Sequence, residues 1–267
     1  MRIPFTKAHG AGNDFLLTWI NEAPRENRPE AARAICERHT GIGADGWLLI
    51  SQPPPGETSY DSSIQLYNSD GSVAEISGNG TRCAAAFLAD VGLVDRVARI
   101  RTGAGVKRLD LLERSGLFFL FEMGMGQPIF PEGGRTRLDL SSGPREVTIV
   151  DVGNPQCVAQ VPDFDLDWRS IGAEIERHPH FPNRTNVSFV RRVDEHTLDV
   201  RFYERGAGET MSSGTGSTGA VAASLKLGLV KSPVTVLTPA GPLKLRCENE
   251  IYLTGPAQIV GGGEFCA

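Results

Sequence analysis

A twelve-residue stretch, Ser77-Gly-Asn-Gly-Thr-Arg-Cys-Ala-Ala-Ala-Phe-Leu, recurs more loosely as Ser213-Gly-Thr-Gly-Ser-Thr-Gly-Ala-Val-Ala-Ala-Ser, 136 positions further on. In both copies a serine and two glycines open a run of Ala, Val and Leu. That order predicts a Ser N-cap followed by a helix with small apolar residues on every side. A helix apolar all round has to be buried, so the repeat predicts two buried helices, each the centre of its own half. A second recurrence supports duplication. Gly12-Asn13-Asp14 is matched by Gly153-Asn154-Pro155 after a shift of 141 positions, in the same order relative to the serine turns.

The segments between these landmarks read mainly as short strands. Apolar and polar residues alternate from Ile3 to Ile20 around the turn His9–Asp14 and again in Ser63–Tyr67, and Trp47–Ile50, Ala98–Thr102, Leu109–Glu113 and Leu117–Glu122 also read as short strands. The second half repeats the habit in Val147–Val152, Val187–Val190, Leu198–Tyr203, Val234–Leu237, Leu243–Cys247 and Ile251–Leu253. Helical spacing marks Arg25–Arg38 and Ile171–Glu176, and Gln258-Ile259-Val260 is read as a final strand returning to the first half. The expected architecture is therefore α/β, of α+β type. Two pseudo-symmetric halves, 1–125 with 256–267 and 126–255, each carry a mostly antiparallel sheet wrapped round a central buried helix.

Composition narrows the partners. The chain has 267 residues and a net charge of −5, with no long basic run, which points away from nucleic acid and toward a small molecule. No apolar stretch approaches a membrane span, and the expected location is cytoplasmic. Cys36, Cys83, Cys157, Cys247 and Cys266 are odd in number and scattered, and His39, His178, His180 and His196 lack metal-type spacing, so no metal is assigned. A helix N-terminus presents unpaired N–H groups and the positive end of a dipole, and glycines let an anion approach. Two such ends suggest one anionic substrate, with Ser77 and Ser213 flanking its reacting carbon.

Seven blocks in order resemble diaminopimelate epimerase. They are Lys7–Phe15, Asn68-Ser69-Asp70-Gly71, Gly78–Cys83, Gly153-Asn154-Pro155, Tyr203–Thr210, Gly214-Thr215-Gly216 and Thr254-Gly255-Pro256-Ala257. The resemblance covers nearly the whole chain. It implies a cofactor-free isomerase, usually a homodimer, that interconverts LL- and meso-diaminopimelate by removing and returning the α-proton. By motif position, Asn13, Asn68, Asn154, Asn186, Glu204 and Arg205 would hold the substrate, and Gly78 with Asn79 and Gly214 with Thr215 would present the two helix starts to its carboxylate.

Three positions depart from the family pattern. The family places cysteine, as acid and base, where this chain has Ser77 and Ser213, and usually histidine at Gln156, which is assigned a supporting place. A serine hydroxyl is a poor unaided base, and no neighbouring base is evident in the sequence. Elimination from a modified amino acid, a non-catalytic amino-acid binding protein, and a Cys-to-Ser trapped variant therefore stand beside epimerisation. As plain structure, the serines are good caps and the asparagines ordinary turn residues.

Overall fold

The computed structural model describes residues 2–266, with Glu132 described by its backbone alone. The chain divides into two compact units, Met1–Met123 with Thr254–Ala267, and Gly124–Leu253. In order, the first carries β1 (Arg2–Gly10), β2 (Asn13–Trp19), α1 (Arg28–Cys36), β3 (Gly46–Ser51), β4 (Ser62–Asn68), β5 (Val73–Ala74), α2 (Gly78–Asp90), β6 (Val97–Thr102), β7 (Gly105–Ser115) and β8 (Phe118–Gly126) as far as Met123. The second carries β9 (Arg135–Leu140), β10 (Gly143–Asp151), β11 (Pro155–Gln160), α3 (Trp168–Glu176), β12 (Asn186–Arg192), β13 (Thr197–Glu204), β14 (Gly208–Thr210), α4 (Gly214–Lys226), β15 (Val234–Thr238) and β16 (Gly241–Cys247). The last strand, β17 (Ile251–Cys266), belongs to the first unit from Thr254 onward, where it pairs antiparallel with β1.

The pairing pattern supports the duplication inferred from the repeat. In the first unit β2 pairs parallel with β3, β3 antiparallel with β4, β4 antiparallel with β5 and parallel with β6, and β6 antiparallel with β7. In the second, β11, β12, β13, β14, β15 and β16 repeat that sequence of relations. Most pairs are antiparallel, as expected. The parallel pairs fall where a helix or a longer connection intervenes, since a tight turn cannot join parallel neighbours.

The two 13-residue helices α2 and α4 occupy the centres of their units. Every residue of α2 from Gly78 to Ala89 is buried, and so is every residue of α4 from Gly214 to Ser224. Alanines and glycines keep these helices thin, so strands approach them closely: α2 lies against β1, β2 and β6, and α4 against β10, β11 and β12. The strands alternate about that centre. Phe15 and Leu48 reach toward Gly80 of α2, whereas Leu16, Trp47 and Leu49 join Ala32 and Ile35 of α1 in a second layer of core. In the second unit Val187 and Phe189 meet Trp168, Ile171 and Ile175 of α3 in the same way.

Several elements differ from the sequence reading: β5, β11 and β14 were not anticipated, and Ile251–Leu253 and Gln258–Val260, expected as separate strands, are parts of the single strand β17. The first helix begins at Arg28 rather than Arg25, because Asn27 takes a left-handed conformation (φ 53°) and Pro29 lies within the first turn, where its missing N–H costs nothing. β9 was not expected at all. Its residues Arg-Thr-Arg-Leu-Asp-Leu alternate, with Leu138 and Leu140 buried, but the polar positions outweigh the signal until β10 pairs with it. Among the described residues no helix is long and apolar enough to cross a membrane.

Candidate active site

Both serines cap their helices. Ser77 Oγ accepts from Gly80 N at 3.1 Å and Ser213 Oγ from Gly216 N at 3.0 Å, each from an extended backbone. The caps explain the Ser-Gly-x-Gly spacing, because the oxygen reaches the amide three residues on. In α4 the N–H groups of Gly214 and Thr215 lie too early for an intrahelical acceptor, so they face outward along the positive end of the helix. Gly216 is required sterically as well: a Cβ there would stand 2.7 Å from the Phe202 ring and 2.9 Å from Ser213 Oγ.

At the second helix start the serine has a partner that the sequence reading did not supply. Ser213 is 2% exposed, and its hydroxyl donates to Glu204 Oε1 at 2.5 Å. A hydroxyl held this closely to a carboxylate makes a short, charge-assisted hydrogen bond. Glu204, expected as a substrate contact, is thus the acceptor of the Ser213 hydrogen bond. It ends β13, and Asn68 ends β4 at the equivalent place, 136 positions earlier, the same separation as the two serines. That shared offset is the signal by which the pair could have been found.

Of the remaining candidates of the second unit, Asn154 and Gln156 meet the same helix start, and Asn186 and Arg205 are bonded to each other beside Pro155. Asn154 Nδ2 donates to Thr215 Oγ1 at 3.4 Å, and Gln156 Nε2 donates to Asn154 Oδ1 at 2.7 Å. Gln156 is fully buried, and its Oε1 has no partner among the described residues. Asn186 Nδ2 donates to Pro155 O at 3.1 Å while its Oδ1 accepts from Arg205 N at 3.0 Å, and Arg205 Nη1 reaches Asn183 O at 3.2 Å. The turn that follows Arg205 is anchored from behind. Glu176, 1% exposed, accepts from Gly206 N and is ion-paired with Arg177 and Arg184.

The first unit arranges its candidates differently. Asn13 Nδ2 donates to Asp45 Oδ2 at 2.6 Å, and Asn13 Oδ1 accepts from Asn79 Nδ2 at 3.2 Å, so both carboxamides belong to one network beside Gly78. Asp45 and Asp14 share Arg38, and Lys7 also meets Asp14 at 3.0 Å. Burial alone would raise the Asp14 carboxyl, but the hydrogen bonds and charges of Arg38 and Lys7 outweigh it and hold the pKa below the ordinary value. Asn68 is half-buried and bound into its own turn, donating to Ser72 Oγ at 3.0 Å. Among the described residues Ser77 Oγ has no carboxylate partner.

Burial pushes the Cys36 and Cys83 thiols up to about 12 and raises Cys157 further, which leaves them protonated and inert.

The chain is thus a duplicated α/β fold with two buried helices, each opening on a serine and a glycine-rich turn, the fold class of the epimerases and racemases among its solved structural neighbours. Solved structures share this fold. A hydroxyproline epimerase from Agrobacterium vitis superposes with a TM-score of 0.76 at 15% identity, covering 98% of this chain and 90% of its own. A phenazine biosynthesis protein from Bacillus anthracis superposes with a TM-score of 0.72 at 14% identity, covering 100% of both chains. Sequence narrows the class. The family model for diaminopimelate epimerase matches residues 5–130 and 148–260. The diaminopimelate epimerase of Pelotomaculum thermopropionicum is 40% identical over 98% of each chain, and that of Acetivibrio thermocellus 38% identical over 97% of each. The chain belongs to the diaminopimelate epimerase family.

Proposed function

We propose that the protein interconverts LL- and meso-diaminopimelate by α-proton removal and return, without a cofactor, with serine hydroxyls in place of thiols. The observation that carries this reading is the 2.5 Å bond from Ser213 Oγ to Glu204 Oε1 at a helix start whose outward N–H groups suit a carboxylate. A serine hydroxyl alone cannot take a proton from an α-carbon at neutral pH. Coupled to Glu204 it can. As the Cα–H bond breaks, its proton passes to Ser213 Oγ while the serine's own proton passes to Glu204, and the electron pair left on the α-carbon spreads into the adjacent carboxylate. The N–H groups of Gly214 and Thr215 stabilise that added charge without reorganising. Ser77 then donates its proton to the α-carbon to complete the inversion, and its alkoxide regains a proton from solvent while Glu204 releases the one it took up.

Asn13, Asn68, Gly78, Asn79, Asn154, Asn186 and Arg205 are assigned to the substrate's carboxylates and amino groups, with Gln156 supporting Asn154. Arg205 is the cation suited to a carboxylate. A homodimer is assigned on kinship alone, and light scattering of the purified protein tests it. The function is tested by incubating the protein with LL-diaminopimelate in deuterated water. Deuterium incorporation with inversion at the α-carbon is expected. A keto acid or unsaturated product would establish elimination instead, and recovery of unlabelled substrate would leave a binding protein.

A further inference from the structure

Arg82, in the first turn and a half of α2, is fully buried, yet among the described residues no carboxylate is bonded to it. Its Nε donates to Pro256 O at 3.1 Å and its Nη2 to Asn79 Oδ1, while Nη1 has no acceptor among the described residues. Burial pulls its pKa down to about 10, which still leaves it protonated at neutral pH. A buried cation with no counter-ion is costly, and an apolar side chain of similar volume would fill the space more cheaply. Packing therefore does not account for it.

We infer that Arg82 is a positioning residue that fixes the orientation of the Asn79 and Asn13 carboxamides beside the start of α2. The inference rests on the assignment of those two asparagines to substrate binding. The chemistry at the two ends of the network determines both amides. A guanidinium can only donate, so Asn79 must turn its oxygen toward Arg82 and its nitrogen toward Asn13. Asn13 must then present its oxygen to Asn79 and its nitrogen to Asp45, which as a carboxylate can only accept. Neither amide can flip without placing donor against donor. Asn13 keeps one further N–H, whose direction is thereby fixed. Gly10 lets β1 lie close to this pair, since a Cβ there would come within 3.1 Å of Asn79 Cβ and 3.2 Å of its backbone. The bond to Pro256 O gives the Thr254-Gly255-Pro256-Ala257 motif a role: it ties β17 to the base of the network.

The test is R82M, compared with the parent by side-chain amide NMR on ¹⁵N-labelled protein, with N79D and N13D assigning the two carboxamides, and by steady-state exchange kinetics. Displacement of the Asn79 NH₂ pair, followed by that of Asn13, is expected, together with a fall in kcat/KM of about ten-fold or more from lost orientation. Unmoved amide pairs in a folded R82M would overturn the inference. If R82M does not fold, R82K serves, because an ammonium cannot reproduce the fork that reaches Asn79 and Pro256 together; its Asn79 pair is expected to shift, and an unmoved pair overturns the inference there too. If the parent shows no exchange on diaminopimelate, the proposed function fails while the NMR arm still decides the role of Arg82.

Discussion

Replacing Glu204 by glutamine isolates the step on which the chemistry depends. Glutamine keeps the length and can still accept the Ser213 hydrogen bond through its amide oxygen, but it cannot take up the proton. The contact is short, at 2.5 Å, and Ser213 is 2% exposed, so water cannot readily stand in for the missing carboxylate. General-base assistance by a positioned carboxylate contributes roughly 10²–10⁴ in rate. With the hydrogen bond retained, a loss near the lower half of that range is expected, roughly 10²–10³ in kcat, or about 2.7–4 kcal/mol of transition-state stabilisation.

The assay is α-proton exchange from LL-diaminopimelate in deuterated water, followed for kcat and KM separately. KM should change little, since the ground-state hydrogen bond remains and only proton uptake is lost. S213A should fall by a similar factor, and the double variant should fall no further, because the two residues act as one unit. A kcat for E204Q within about three-fold of the parent would refute the assignment of Glu204 as the proton acceptor. Additive losses in the double variant would refute the coupling.

Three further perturbations probe other parts of the argument. S77C with S213C together should raise the exchange rate, since each thiol would gain the lowered pKa that a helix N-terminus provides, while either single replacement does much less; a double variant no faster than the parent would show that the sites have diverged beyond their acid–base groups. D14N should destabilise the protein at pH 7 and less so at pH 3. The folded pKa of Asp14 lies below its unfolded value, so its stabilisation is present above the ordinary carboxylate range and is lost as pH falls through the folded value; thermal midpoints of parent and variant should converge on acidification, and a constant gap would contradict the assignment. G216A should cost about 1–3 kcal/mol, because the added Cβ meets the Phe202 ring at 2.7 Å; an unchanged urea midpoint would mean that the ring moves aside freely.

Much of the architecture was legible because its determinants are local. The serine caps, the glycine turns and the alanine-rich helices announce themselves within a dozen residues, and the final strand is signalled by its apolar run. The start of α1 was not, because the left-handed Asn27 takes a conformation that no spacing rule predicts. Arg82 was hidden for a different reason. An arginine in a helix reads as a surface residue, and only the packed structure shows it enclosed by Asn79 and Pro256, the latter 174 positions away. The bond between Ser213 and Glu204 spans only nine positions, but it requires β13 and the start of α4 to come together across the turn through Gly206 and Gly208.

That bond also distinguishes two helix starts that the duplication made alike. Inversion at a carbon needs one group ready to accept a proton and another ready to give one. Two hydroxyls in identical surroundings would favour the same protonation state, and a strictly symmetric duplication would therefore supply two donors or two acceptors. Unlike environments separate the roles. Here the difference falls on the residue that closes the strand before each serine turn: Asn68 in the first unit, turned to Ser72, and Glu204 in the second, bonded to Ser213. A carboxamide can orient a hydroxyl but cannot take its proton, whereas a carboxylate can do both. In the mechanism proposed above the first serine serves as donor and the second is coupled to an acceptor, so the asymmetry that such a mechanism needs lies in the residues that end β4 and β13 while each helix start keeps its own serine cap.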